Sequence, residues 1–314
     1  MRLAKGYRAP RGCGRPSGDG TVVNEERRGV MRIAVTGALG RIGRAVVDLA
    51  VATGHDVVAL DRVRRGEIPD SFHCVDLAEY DGTVRALDGC HAVIHLAAIT
   101  GPGRLPDDVV HNNNVVTSYN VMCAAAELGV RRVCQASSVN AIGGRFSRIP
   151  RYDYFPLDEH HPTYAEDPYS LSKWICEQQA DAFARRHEEL SIASLRLHGV
   201  TASRRAAASW VDLPDAGVAK QLWGYTTLAA AARACLAAVD AEFTGHEALY
   251  IVAPDTMVDT PTAELVDLHY PDVPVRSALA GTQGLFDCGR ARSVLGWSHD
   301  VGDSPLEPEA TRLR

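Results

Sequence analysis

This 314-residue chain has no run of about 18 consecutive apolar residues, and its most alanine-rich segment, residues 228–239, is broken by Arg233. No membrane span is therefore expected. An excess of one charge sign is also lacking: 33 Lys and Arg stand against 39 Asp and Glu, for a net charge of −6. There is no basic field for nucleic acid and no acidic tail for a basic partner. No Cys-x-x-Cys pair occurs among the eight cysteines at 13, 74, 90, 123, 134, 176, 235 and 288. Several sit in apolar runs, which reads as reduced core thiols in a cytoplasmic protein rather than disulfides. His160 and His161 are adjacent, so their side chains diverge, and no His-x-x-x-His accompanies them. No metal site is expected. The first 30 residues hold seven basic against three acidic residues, six glycines and two prolines. They lack the apolar core of a secretory signal, so export is not expected, and they read as a disordered basic tail. The partner left by these exclusions is a small molecule or a second copy of the chain.

The chain does have material for a core: 46% of its residues are apolar. From Met31 a regular pattern begins. Short β-rich runs at 32–36, 56–60, 72–75, 91–96, 131–136 and 191–197 alternate with helical spacing at 42–52, 78–87, 108–128 and 168–187. Strands apolar on both faces between helices predict an α/β fold: a doubly wound, Rossmann-type parallel sheet covered by helices. After residue 200 the alternation loosens. A helix at 226–239, a strand at 248–252 and a short helix at 288–296 remain legible. We divide the chain into a tail (1–30), a dinucleotide-binding domain (31–200) and a small substrate cap (201–314) interleaved with the core.

Residues 36–43 read Thr-Gly-Ala-Leu-Gly-Arg-Ile-Gly, between a strand and a helix. Gly37 permits a tight turn, Gly40 lets the backbone approach a pyrophosphate, and Gly43 lets the helix lie on the sheet; Arg41 and Ile42 open that helix. Free N–H groups and the helix dipole then face the phosphates. A plain strand–turn–helix is the bland alternative. Asp61 closes the second strand about twenty residues on, where a carboxylate can accept from a ribose and repel a 2′-phosphate. NAD is favoured over NADP, although Arg62, Arg64 and Arg65 beside the acid could serve a phosphate. Asp76 and Leu77, after the third strand, could meet the adenine.

Tyr169 and Lys173 form Tyr-x-x-x-Lys on a predicted helix, on one face at i,i+4. A nearby ammonium favours the phenolate, so Tyr169 could exchange a proton with a substrate hydroxyl or carbonyl. Ser138, just past the fifth strand, could bind the same oxygen. An ordinary helix-surface pair is the alternative reading.

Together these residues resemble the extended short-chain dehydrogenase/reductases, also called the NAD-dependent epimerase/dehydratase family. The resemblance covers residues 31–297 and adds His95-Leu96-Ala97-Ala98, Asn113-Asn114, Ser137-Ser138 with Ile142-Gly143, Leu195-Arg196 and Leu295-Gly296-Trp297. It implies a catalytic set of Ser138, Tyr169 and Lys173. It implies that Leu96, Ala97 and Ala98 lie against the cofactor, that Asn114 supports the site within one position of register, and that the residues from 197 to 200 lie beside the nicotinamide. It also implies a homodimer through the helices at 108–128 and 168–187. Two departures matter. Ile142 stands where members acting on nucleotide-linked sugars carry tyrosine, and Gly281-Thr282-Gln283-Gly284 stands where they often carry an arginine. With the compact cap, this is more similar to the uronate dehydrogenases. The segment at 145–167 reads as a loop over the site, with Arg145, Arg148, Arg151 and His198 as candidates to meet an acidic substrate. Three functions stay open: an NAD-dependent oxidoreductase, an epimerase or dehydratase with tightly held NAD, and a non-catalytic dinucleotide sensor.

Overall fold

The computed structural model describes residues 29–66, 69, 71–211 and 217–299. All but the last two residues of the expected basic tail lie outside that range, as do residues 300–314 of the expected cap.

The first half of the core follows the alternation in sequence: β1 (Arg32–Thr36), α1 (Arg41–Ala52), β2 (Asp56–Asp61), β3 (Phe72–Cys74), α2 (Tyr80–Leu87) and β4 (Ala92–His95). The second continues with α3 (Asp107–Leu128), β5 (Arg132–Ser138), α4 (Pro168–Arg186) and β6 (Ser191–Leu197). Then come β7 (Val200–Thr201), α5 (Arg204–Ala208), β8 (Thr226–Thr227), α6 (Leu228–Asp240), β9 (Gly245–Ile251), α7 (Thr262–His269) and α8 (Gly289–Leu295). Among the described residues, seven strands form one sheet in the order β3-β2-β1-β4-β5-β6-β9. Every pairing in it is parallel. The order reverses between β1 and β4, and that switch point opens a crevice at the strands' carboxyl ends.

Each face of the sheet has its own core. On one, Val46, Val47 and Ala50 of α1 meet the small residues Ala231, Ala234, Cys235 and Ala238 of α6 over Val35, Ile94 and Leu195. On the other, Val121, Met122 and Ala125 of α3 and Phe183 of α4 cover Val58, Val93 and Ile192. The α3 helix stops at Gly129, whose φ of 72° is the left-handed conformation that ends a helix.

Downstream of residue 200 the chain returns to the sheet. Strand β9 pairs with β6 from Ser191↔Gly245 to Leu197↔Ile251, and α6 packs on α1, so both belong to the doubly wound core. The cap has a third apolar core, drawn from separate segments: Ile142, Tyr152, Phe155 and Leu157; Leu222, Trp223 and Tyr225; Tyr250, Met257, Leu265 and Phe286. Residues upstream of 200 therefore help build it. Phe155 N–H donates to the Pro274 carbonyl at 2.9 Å and Leu157 N–H to that of Leu285 at 2.8 Å, which ties the 145–167 segment to the cap.

Candidate active site

A cleft of about 660 Å³ runs along the carboxyl ends of the strands. Its first wall is the turn after β1. Gly37 has φ +65°, and a Cβ there would lie 2.8 Å from the Ala97 nitrogen. A side chain at Gly43 would collide with the Gly37 carbonyl oxygen and meet Ala38 Cα at 2.8 Å. These two glycines let turn, helix and β4 loop close on one another. Gly40 caps α1 with no side-chain hydrogen bond, so no side chain competes for the helix's leading N–H groups. Gly37, Gly40, Arg41, Ile42 and Gly43 all line the cleft. The Arg41 guanidinium also crosses to the Val200 carbonyl oxygen, joining α1 to the strand beyond β6.

Thr36 pins the second wall. Its Oγ1 accepts from Leu96 N at 3.1 Å and Ala97 N at 3.2 Å, and lies 2.8 Å from His95 Nδ1. Burial first, and the Lys173 charge second, push the His95 pKa down to about 3, so this histidine is neutral. Leu96, Ala97 and Ala98 line the cleft.

At the far end, Asp61 accepts from Leu39 N at 3.1 Å through one oxygen and Arg62 N at 2.7 Å through the other. The carboxylate is thus fixed between turn and β2. Arg62 and Arg65 share that rim, with Asp76 and Leu77 beside them. Arg64 lies over the Phe72 ring, its Cζ 5.3 Å from the centroid.

At the β5–β6 end, Asp167 caps α4 by accepting from Tyr169 N at 3.0 Å and Ser170 N at 2.9 Å. This seats Tyr169 in the first turn and Lys173 one turn on. Both are buried and both line the cleft, with Ser138. Burial pushes the Tyr169 phenol up to about 12, while Ser138, within hydrogen-bonding reach, pulls it down. That net rise differs from the expectation that Lys173 holds the phenolate. The Lys173 ammonium instead donates to the Ala136 carbonyl at 2.7 Å, with its Nζ 5.9 Å from the Tyr169 ring centroid. Burial lowers the Lys173 pKa as well.

Asn114 is brought near but not to the wall. It is buried, accepts from Ile99 N at 2.8 Å, and donates to Ile99 O at 3.0 Å and Ser172 Oγ at 3.1 Å. It clamps the loop after β4 to α4, and its neighbour Asn113 lines the cleft. Of the four residues considered for an acidic substrate, Arg145 and His198 line the cleft. Arg148 is exposed. Arg151 pairs with Asp153 at 3.1 Å and lies over Tyr164.

Among the lining residues that sequence reading missed are Asn140, Phe146 and Gln221. Asn140 N–H and its Nδ2 both donate to Ser138 Oγ, at 3.1 and 3.3 Å. Its position two residues after a serine was the available signal. Phe146 stands edge-on to Tyr169 with centroids 5.9 Å apart. Gln221 reaches the cleft from the cap, and no local pattern marks it.

This set fits a dinucleotide. An uncapped helix start, a glycine turn that a Cβ would obstruct, a fixed carboxylate and a phenol–lysine pair line one continuous cleft of suitable size.

The comparisons agree with that geometry. Residues 33–211 match the description "NAD dependent epimerase/dehydratase family". The chain is 29% identical to the dTDP-6-deoxy-L-talose 4-dehydrogenase (NAD(+)) of Aggregatibacter actinomycetemcomitans, over 56% of this chain and 63% of that protein. It is 31% identical to the L-arabinose 1-dehydrogenase (NAD(P)(+)) of Haloferax volcanii, over 53% of this chain and 66% of that one. The alignments thus span less than two thirds of both curated relatives. The solved structure of MoeE5 in complex with UDP-glucuronic acid and NAD superposes with a TM-score of 0.63 at 26% identity, covering 86% of this chain and 94% of that one. With its matched segment running from β1 through α5, the chain belongs to the NAD dependent epimerase/dehydratase family.

Proposed function

We propose that this chain is an NAD-dependent oxidoreductase that moves hydride at the CH–OH/C=O carbon of a small, sugar-like substrate. One observation carries the reading: Ser138, Tyr169 and Lys173 meet at the inner wall of the cleft whose other end is the glycine turn and Asp61. Gly37, Gly40, Gly43 and the start of α1 would hold the pyrophosphate, Asp61 the adenosine ribose, and Lys173 the nicotinamide ribose. Bound NAD would supply the two-electron hydride acceptor and a cationic ring near the phenol.

The chain's own residues handle the proton. For oxidation, the Tyr169 oxygen takes the hydroxyl proton as the C–O bond gains double-bond character; in reduction it returns that proton. Ser138 Oγ, itself positioned by Asn140, orients the same oxygen. The Lys173 ammonium, buried against Ala136, lies 5.9 Å from the Tyr169 ring centroid, one helical turn on. Phe146 packs edge-on against the Tyr169 ring.

The test is NADH absorbance after adding NAD and a panel of sugars, sugar acids and nucleotide sugars. Net NADH formation that Tyr169→Phe abolishes is expected. Substrate epimerised without net NADH would replace this reading with the epimerase one. NAD binding with no turnover of any substrate would replace it with the sensor.

A cytoplasmic homodimer assembled through α3 and α4 belongs to the same proposal. Val109, Val116 and Tyr119 stand exposed along α3 in support of it. A monomeric mass by light scattering would remove that part.

A further inference from the structure

The substrate end of the cleft holds a guanidinium that has no counter-charge among the described residues. Arg145 lies on the loop after β5, half-buried, and lines the cleft with Ser138, Tyr169 and His198. Its backbone N–H donates to Asn140 Oδ1 at 3.1 Å and its Nη1 to Gln221 Oε1 at 3.2 Å. Its Cζ is 5.7 Å from the centroid of Phe146, the ring that packs on Tyr169. Both side-chain partners are neutral. Among the described residues, no carboxylate pairs with it. Among the described residues, the two carboxylates that line the cleft, Asp61 and Asp76, end β2 and follow β3 at the opposite end.

The surroundings accentuate this charge. His198 is buried and its Nδ1 accepts from Gly199 N at 2.7 Å, so the ring proton is on Nε2, which donates to the Gln221 carbonyl at 2.9 Å. A second ring proton would displace the Gly199 N–H. This histidine is therefore a neutral strut, and its link to the Gln221 backbone fixes the residue whose side chain holds Arg145. Lys173 donates to the Ala136 carbonyl, and its other donors serve the nicotinamide ribose in the proposed reading. Arginine offers five donors in a planar fork, and Gln221 occupies one nitrogen. A partly desolvated guanidinium beside only neutral groups is a poor arrangement by itself and a good one when an anion completes it.

We propose that Arg145, held by Gln221 and Asn140, binds an anionic substituent of the substrate, so that the enzyme takes sugars bearing a carboxylate or a phosphate in preference to neutral ones. This deepens the oxidoreductase reading and rests on it for the position of the reacting carbon. The carboxylate and phosphate sources share one chemistry at this residue, and separate ligands distinguish them.

The test is equilibrium binding to the NADH-saturated protein, which needs no turnover. D-glucuronate, D-galacturonate, D-glucose 6-phosphate and UDP-glucose are titrated beside neutral D-glucose and D-galactose. At least one anionic ligand should bind about 10- to 100-fold more tightly than its neutral counterpart, the scale of charge-assisted hydrogen bonds. Arg145→Gln should remove that preference while leaving NADH affinity as it was, and Arg145→Lys should keep part of it. Unchanged NADH binding also reports that the variants fold. Neutral sugars binding as tightly as every anionic one, or a Gln variant that keeps the preference, would overturn the assignment. Anion-selective binding without NADH formation would instead sustain it and refute the oxidoreductase reading. NADH formation from neutral sugars alone would do the reverse.

Discussion

Arg196 and Glu177 meet as a two-pronged ion pair behind the cleft, with Nε to Oε1 at 3.0 Å and Nη2 to Oε2 at 2.8 Å. Both are almost wholly buried. Glu177 also accepts from Ser137 Oγ at 2.5 Å, Arg196 reaches the Glu159 carbonyl at 3.4 Å, and its Cζ lies 5.2 Å from the Tyr250 ring centroid. The pair therefore joins the residue before Ser138, the helix turn after Lys173, the strand leading to His198 and the loop that feeds the cap. Removing one partner leaves a buried charge uncompensated, which costs about 3–5 kcal/mol. Arg196→Met should lower the melting temperature by on the order of 10 °C. A shift under about 2 °C, against the same scale, would show that water or a rearranged partner replaces the arginine.

The Tyr169 phenol, raised to about 12 by burial, sets the sign of the pH dependence. Oxidation needs an unprotonated tyrosine oxygen, so kcat/KM for alcohol oxidation should climb with pH through the neutral and mildly alkaline range, roughly tenfold per unit. Reduction needs the protonated phenol, present throughout that range, and should stay flat in this limb. Ser138 pulls the phenol's pKa down, so Ser138→Ala should move the oxidative limb to higher pH and cut neutral-pH turnover by about 10²-fold or more. Profiles that coincide for the wild type and the alanine variant would mean that Ser138 does not act on the tyrosine.

Much of the fold is legible in the sequence because most of the first six sheet strands come in local strand–helix units, each with its own apolar period. The seventh strand is not placed by that logic. Between β6 and β9 the chain detours through the cap, so α6 and β9 look like cap elements although they pack on α1 and β6. The cap core itself joins Tyr152, Trp223, Tyr250 and Phe286, residues too far apart in sequence to show a period. At the site, residue types at fixed spacing marked the glycine turn, Asp61 and the tyrosine–lysine pair. Spacing does not state what burial does to a pKa, which is why the direction of the Tyr169 shift emerged only from the structure. Nor does it say which asparagine of the 112–114 run faces the cleft, since a helix rotates each successive side chain by about 100°.

Asp61 offers a cofactor test. Its carboxylate is held by Leu39 N and Arg62 N, with Arg62 and Arg65 on the same rim. Asp61→Ala should weaken NAD by about tenfold or more, the worth of charge-assisted hydrogen bonds. It should improve NADP relative to NAD, because the repulsion toward a 2′-phosphate goes while the two arginines stay. Titrations of both dinucleotides check this, and an unchanged NAD/NADP ratio would remove Asp61 from the ribose site.

Gly43 links fold and cofactor at one atom. A methyl group there has no room: the Gly37 carbonyl and the Ala38 backbone occupy its place. Both belong to the turn, whose backbone cannot swing aside as a flexible side chain would. Gly43→Ala must therefore push α1 away from the sheet or open the turn. Overpacking of this kind costs about 1–3 kcal/mol, which is a melting-temperature loss of roughly 5 °C. The same displacement carries the leading N–H groups of α1 away from the pyrophosphate position, so NAD affinity should fall with stability. Gly54 is the control. It lies beyond the carboxyl end of the same helix, and a Cβ there meets nothing within 4 Å, although its φ of +89° adds backbone strain. Gly54→Ala should lose some stability while NAD affinity holds. If both variants lose the same stability and neither loses NAD, the close approach of α1 to the turn does not serve the cofactor.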